Sequence, residues 1–148
     1  MSNTVVDLDA LVGHRFPDGR YTLTADENER FRAIVNSPAV AEGTAHPMFG
    51  HLATHVGKGT TFAEFAELVG SRFDAGFLFG GGTLEYFEPI RVDREYAVRG
   101  GIASAERHEG RRAGQFDVVA TELELIDAET GARVCRSVET YIVPRGKQ

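Results

Sequence analysis

The spacing of apolar residues changes character halfway along the chain: residues 1–75 carry helical spacing and residues 77–144 carry strand spacing. Leu11 to Leu23 reads as an entry segment and a short strand, with Pro17-Asp18-Gly19 as a turn. Thr24-Ala25-Asp26-Glu27 is a capping box, in which the Thr24 hydroxyl accepts from the Glu27 amide and the Glu27 carboxylate accepts from the Thr24 amide. Phe31, Ile34 and Val35 follow at i, i+3 and i+4 as the apolar face of a short helix, which Asn36-Ser37-Pro38 stops. After the small-residue loop 39–45, Pro47 suits the first position of a second helix. Phe49, Leu52, Ala53 and Val56 form its expected buried stripe, ended by Gly57-Lys58-Gly59. Thr61-Phe62-Ala63-Glu64 is another capping box, opening a third helix with Phe62, Phe65, Ala66 and Val69 inward and Gly70 as its stop.

From there the period becomes two. Strands are expected over 83–87, closed by Pro89, and through Tyr96, Val98, Gly100 and Ile102 up to a turn at Glu109-Gly110. A third strand, 115–126, carries Val119, Thr121, Leu123 and Leu125 on one face; a turn at Glu129-Thr130-Gly131 leads to a fourth, 133–143. Strands of roughly ten residues need cover for a whole face, and a central helix lying across the sheet supplies it. The class expected is α+β, with the 148 residues as one domain.

Composition narrows the function classes. With 42% hydrophobic and 26% charged residues, the chain is ordinary for a soluble globular protein, and disorder as the main state is excluded. Sixteen Lys and Arg against 22 Asp and Glu give a formal charge of −6, and the densest basic stretch, 107–112, contains Glu109, so nucleic acid is excluded as a partner. No run approaches the roughly 18 apolar residues of a membrane span. One cysteine, Cys135, forms no internal disulfide and no cysteine zinc site; it reads as a passive thiol in a strand. Met1 to Asp9 lacks the features of a secretory signal, so a cytoplasmic setting is expected.

Three segments in order carry a family resemblance. Leu11-Val12-Gly13 precedes Tyr21-Thr22-Leu23-Thr24 and the helix 28–35. Ala45-His46-Pro47-Met48-Phe49 comes next. Gly81-Gly82-Thr83-Leu84-Glu85-Tyr86-Phe87-Glu88-Pro89-Ile90-Arg91-Val92 follows, with a turn at Val92-Asp93-Arg94. Together they resemble the MaoC-like dehydratases, in particular the FAS1-like dehydratase (MaoC N-terminal-half) group, over nearly the whole chain. The resemblance implies a single hot-dog fold, a long antiparallel sheet wrapped around a central helix. It implies hydration of enoyl thioesters, or dehydration of 3-hydroxyacyl thioesters, of coenzyme A or acyl carrier protein, without cofactor or metal. It also implies a homodimer, or a heterodimer with another hot-dog subunit, since a lone sheet leaves an open edge.

The family's Asp and His stand in a Gly-Asp-x-Asn-Pro-x-His pattern, and an amide at the start of the central helix polarises the thioester carbonyl. The matching segment here is 34–40, where Pro38 fits but Val35 holds the Asp position and Val40 the His position. Pro47 has no amide hydrogen to donate. The usual dyad is absent.

What remains is His46, His51 and His55. His51 and His55 are at i, i+4 and share a helix face bordering the core. Hot-dog thioesterases place a catalytic acid on this helix, and His55 falls near that position, where a neutral imidazole acts as a general base on water. The alternative is that all three are polar residues at a subunit interface or on the solvent face. No third ligand stands at a recognisable metal spacing, so no metal is expected. Met48, Phe49, Tyr86 and Arg91 are the candidate substrate contacts; Arg91 and Arg94, near a strand end, either stand in a solvated turn, the reading preferred, or meet the phosphates of coenzyme A. Glu85 and Glu88 read as exposed acids, and Gly80-Gly81-Gly82 as a bulge or close strand approach, since neither Lys-Ser/Thr nor a helix follows it. Three functions stay in play: a hydro-lyase with altered residues, a silent acyl-binding subunit of a heterodimeric dehydratase, and a thioesterase using the central helix.

Overall fold

The structure, a computed structural model, describes residues 6–72, 74 and 76–146. In chain order its elements are α1 (Leu8–Leu11), β1 (Gly19–Thr22), α2 (Ala25–Ile34), α3 (Phe49–Gly57), α4 (Phe62–Leu68), β2 (Leu78–Tyr86), β3 (Glu95–Gly110), β4 (Gly114–Asp127) and β5 (Arg133–Gly146). Both expected capping boxes are formed, at Thr24/Glu27 and Thr61/Glu64. The strands make one antiparallel sheet in the order β1-β3-β4-β5-β2, and α3 packs against all five. This is the expected hot-dog arrangement.

Strict alternation decides which face meets the helix. On β4, Asp117, Val119, Thr121, Leu123, Leu125 and Asp127 point inward and are buried. On β5, Cys135, Ser137, Glu139, Tyr141 and Val143 do the same. Burial pushes the Cys135 thiol up to about 11, so it is protonated and passive. β2 begins five residues before the expected strand, because its register against β5 shifts between Phe79 and Gly81 and the triple glycine forms the bulge. The β3–β4 turn sits later than expected, at residues 111–113, and is closed by Gly114 at φ +68°.

Two expected apolar faces are corrected. On α2, Ile34 is 82% exposed and Val35 is exposed too. The inner face belongs to Asn28, Phe31 and Arg32. Asn28 is buried, accepts from the His46 amide (2.8 Å) and donates to the Thr44 carbonyl (3.4 Å); Arg32 donates to the Pro38 carbonyl. The polar loop before α3 is what this helix covers, so a polar residue leads its inner face. On α3, Val56 is 70% exposed, and the buried stripe is Phe49, Gly50, Ala53, Thr54 and Gly57. Small residues bring the helix axis close to the sheet: a Cβ on Gly19 would stand 1.8 Å from the Gly57 carbonyl oxygen. The α4 C-terminus is held by Arg145, whose guanidinium donates to the Val69 and Gly70 carbonyls and to buried Asp117, which Arg107 also binds. No helix of the described residues is long and apolar enough to cross a membrane.

Candidate functional site

His51 and His55 stand one turn apart on the face of α3 beside its small-residue stripe, and β5 runs beneath them. The inward alternation of β5 delivers Glu139 and Tyr141 to the same place. Glu139 is 1% exposed. His51 Nδ1 lies 3.0 Å from its Oε1 and His55 Nδ1 3.3 Å from its Oε2. The Tyr141 hydroxyl donates to Oε2 at 2.5 Å, a charge-assisted bond to a desolvated carboxylate. A buried carboxylate is tolerated only with partners around it: His55 and Tyr141 hydrogen-bond to Oε2, and the His51 ring stands beside Oε1 without an aligned hydrogen bond.

Six rings close around this floor. His51, Phe79, Tyr141, Phe77, Phe62 and His55 follow one another with centroid separations of 6.3, 5.9, 5.9, 6.4 and 4.6 Å, and 5.1 Å between the histidines completes the circle. They line a cavity of about 450 Å³. A neighbouring cavity of about 420 Å³ shares His55 and Phe62 with it and includes Lys58, whose ammonium sits 3.9 Å over the Phe62 ring. Burial lowers the His55 pKa, opposed by the charge of Glu139, and Lys58 adds to the lowering; burial likewise lowers Lys58. Tyr141 is pushed far up, first by burial and then by its bond to Glu139, so its hydroxyl stays a donor.

The structure brings His51 and His55 together and sets His46 elsewhere. His46 Nδ1 accepts from the Met48 amide (3.1 Å), and its ring packs 5.0 Å from Phe31. The start of α3 is turned in on itself: the His46 amide goes to Asn28, the Phe49 amide to the His46 carbonyl and the Gly50 amide to the Pro47 carbonyl. Each amide there has a partner and Pro47 has none to give. Tyr86, on β2, donates to the Pro47 carbonyl; burial pushes its pKa up to about 12. Phe49 is buried core and Met48 is partly exposed. Arg91 lies exposed beside the same loop, bridged through its backbone to Thr44. Met48, Phe49, Tyr86 and Arg91 therefore gather at the N-terminal end of α3, away from the aromatic cavity. Arg94 is engaged by Asp127 and Glu129. Val35 and Val40, at the positions of the missing dyad, are both exposed.

Sequence reasoning missed Glu139, Tyr141 and the cavity wall. It also held that the histidine pair had no third ligand partner, and Glu139, 84 residues from His55, is that partner. The available signal was the period of β5: Cys135 and Ser137 inward place an acid at 139 on the buried face.

No family model matches the chain, and no curated protein sequence does. Solved structures do share its shape. The C-terminally truncated HadBC (3R-hydroxyacyl-ACP dehydratase) complex from Mycobacterium tuberculosis superposes with a TM-score of 0.66 at 14% identity, covering 89% of this chain and 96% of that one. A MaoC-like dehydratase from Rhodospirillum rubrum gives 0.65 at 20% identity over 97% and 99%. The thioesterase Slr0204 from Synechocystis, which acts on 1,4-dihydroxy-2-naphthoyl-CoA, gives 0.58 at 12% identity over 91% and 88%. With a helix laid across a five-stranded antiparallel sheet and this likeness over nearly its full length, the chain has the hot-dog fold that MaoC-like dehydratases and hot-dog thioesterases share.

Proposed function

We propose that this protein adds water to enoyl thioesters, or removes it from 3-hydroxyacyl thioesters, with a His–Glu arrangement on the central helix and β5 replacing the usual loop dyad. The observation that carries the reading is a buried carboxylate beneath two imidazoles and a phenol, at the floor of an aromatic cavity between helix and sheet. The Glu139 carboxylate, hydrogen-bonded to His55 Nδ1, favours the tautomer with hydrogen on that nitrogen, which leaves His55 Nε2 with its lone pair as the base. In hydration, His55 Nε2 takes a proton from water as the oxygen bonds to the β-carbon and the C=C π pair moves to the α-carbon. The same imidazolium then returns that proton to the α-carbon, so atoms and charge balance. His51 shares the carboxylate and helps hold the water. The cavity rings accept the acyl chain, and Met48, Tyr86 and Arg91 meet the carrier end, with Phe49 buried in the core behind them.

A second hot-dog subunit, of this chain or another, is expected along the β2 edge, where Leu78 and Phe79 are more than half exposed. One observation favours a thioesterase instead: the polar groups stand on the central helix, where hot-dog thioesterases keep their catalytic acid. The dehydratases, including the FAS1-like group, remain our preferred placement because the order of segments along the whole chain follows theirs.

The test is turnover of purified, chelator-treated protein on a short trans-enoyl-CoA and on a saturated acyl-CoA. Hydration of the first, lost in His55→Ala with the melting temperature nearly unchanged, supports the hydratase. Thiol release from the second supports the thioesterase. Silence on both, with tight acyl-CoA binding, makes the chain a non-catalytic acyl-binding subunit and overturns the proposal.

A further inference from the structure

Among the described residues, two buried side-chain polar atoms have no hydrogen-bond partner: Glu139 Oε1 and Thr121 Oγ1. They belong to register partners on the β4–β5 ladder, on the same inner face. His51 Nδ1 is 3.0 Å from Oε1 but without the alignment of a hydrogen bond. Buried polar atoms in folded proteins are met by protein, water or an ion, and here the protein supplies nothing to Oε1.

We infer that His51, His55 and Glu139 form a site for a divalent transition-metal ion, with Zn²⁺ the best fit. The three donor atoms lie within 4.8 Å of one another. Each imidazole nitrogen faces its own carboxylate oxygen, His51 Nδ1 at 3.0 Å from Oε1 and His55 Nδ1 at 3.3 Å from Oε2, so an ion drawn to the unpartnered Oε1, with ligands at roughly 2.0–2.1 Å, needs only a small shift of the His55 ring or of the carboxylate to take all three residues. Two imidazoles with one carboxylate suit Zn²⁺, Co²⁺ or Cu²⁺ and not Mg²⁺ or Ca²⁺, which prefer oxygen alone. The scaffold is stiff, with both histidines on successive turns of one helix and the carboxylate on a central strand, so the donors converge without a loop having to order. Tyr141 donates to Oε2, the kind of supporting contact that fixes a ligating carboxylate. Both imidazoles line the cavity, which leaves a fourth position open to water or substrate.

The site uses the rings in the opposite tautomer from the base. With an ion on Nδ1, the ring hydrogen moves to Nε2, and neither histidine can then accept a proton from water. Bound Zn²⁺ therefore blocks the hydration route, while binding itself does not depend on that route being correct.

The experiment titrates chelator-treated full-length protein with Zn²⁺ by calorimetry and with Co²⁺ by visible absorption. Expected is one ion per chain with Kd of about 1 μM or tighter, Co²⁺ bands of a four- or five-coordinate ion, and weakening of roughly 10–100-fold in Tyr141→Phe. Binding is lost in His51→Ala, in His55→Ala and in Glu139→Gln, each checked for folding by its melting curve. No binding by the wild type, an octahedral Co²⁺ spectrum, or affinity unchanged in His51→Ala and His55→Ala overturns the site. Zn²⁺ binding by a protein silent on both thioesters leaves the site standing and removes only the hydratase reading. Turnover unaffected by one bound equivalent of Zn²⁺ overturns the assignment of these rings as its ligands.

Discussion

Replacing Glu139 by Gln keeps the shape of a side chain that is 1% exposed while deleting its charge. Three groups depend on that charge: the imidazoles at 3.0 and 3.3 Å and the Tyr141 hydroxyl at 2.5 Å. The amide can keep its one oxygen toward His55 and Tyr141, which share Oε2, but it then presents hydrogens to His51 and carries no charge. The His55 imidazole then keeps a neutral acceptor but loses the negative charge that steadies its own positive charge after proton uptake. General-base catalysis contributes about 10²–10⁴ in rate, so kcat/KM is expected to fall by about that factor, or roughly 3–5 kcal/mol of transition-state stabilisation. The loss should appear in kcat with KM little changed, because the apolar cavity wall is untouched. The effect on folding runs differently. A charge-assisted bond of about 1.5–3 kcal/mol becomes a neutral one of about 0.5–1.5 kcal/mol, while the cost of burying a carboxylate disappears. The melting temperature should therefore move by only about 2–4 °C. The assay is steady-state hydration of a short enoyl-CoA by chelator-treated protein, beside a thermal melt. A folded Glu139→Gln protein that turns over like the wild type refutes the role given to the carboxylate. Should that variant fail to fold, Tyr141→Phe, which keeps the charge and removes one donor, serves in its place with an expected smaller drop in kcat.

The remaining predictions concern the scaffold. Burial works to raise the Asp117 pKa, but hydrogen bonds and charge from Arg107 and Arg145 outweigh it and hold the pKa below the ordinary 3.8. The stability it contributes is therefore complete above that value and is lost as pH falls through the lower folded value; in acid titration followed by circular dichroism, Asp117→Asn should be less stable at neutral pH and should flatten the curve in that acid window. Gly19→Ala places a methyl group 1.8 Å from the Gly57 carbonyl oxygen, a backbone atom that cannot swing aside; denaturant unfolding should show a loss of about 1–3 kcal/mol or more, and an unchanged midpoint would show that β1 and α3 are not tightly seated. Ile34→Lys, at a position 82% exposed, should change stability by no more than about 0.5 kcal/mol, against the larger loss that an inward Ile34 would give.

The chain's own pattern was enough for the helices with capping boxes, for the strand faces and for the α+β class, because these depend on local periods and on short-range hydrogen bonds, while the hot-dog arrangement was what the family resemblance implied. Thr24/Glu27 and Thr61/Glu64 needed only three-residue spacing, and the inward row Val119, Thr121, Leu123 and Leu125 needed only alternation. The pairing of His51 with His55 was legible for the same reason, being one helical turn. Helix rotation was not legible: Val56 and Ile34 fit an apolar stripe, but how closely α3 approaches the sheet and what α2 covers are settled by packing, which small residues and Asn28 decide. The carboxylate beneath the histidines was the deepest of these differences. Glu139 reaches His55 across 84 residues of chain, and such a contact exists only once β5 has been placed between β4 and β2, under the central helix. A period can say that an acid faces inward; only the closed sheet determines which basic groups wait there to meet it.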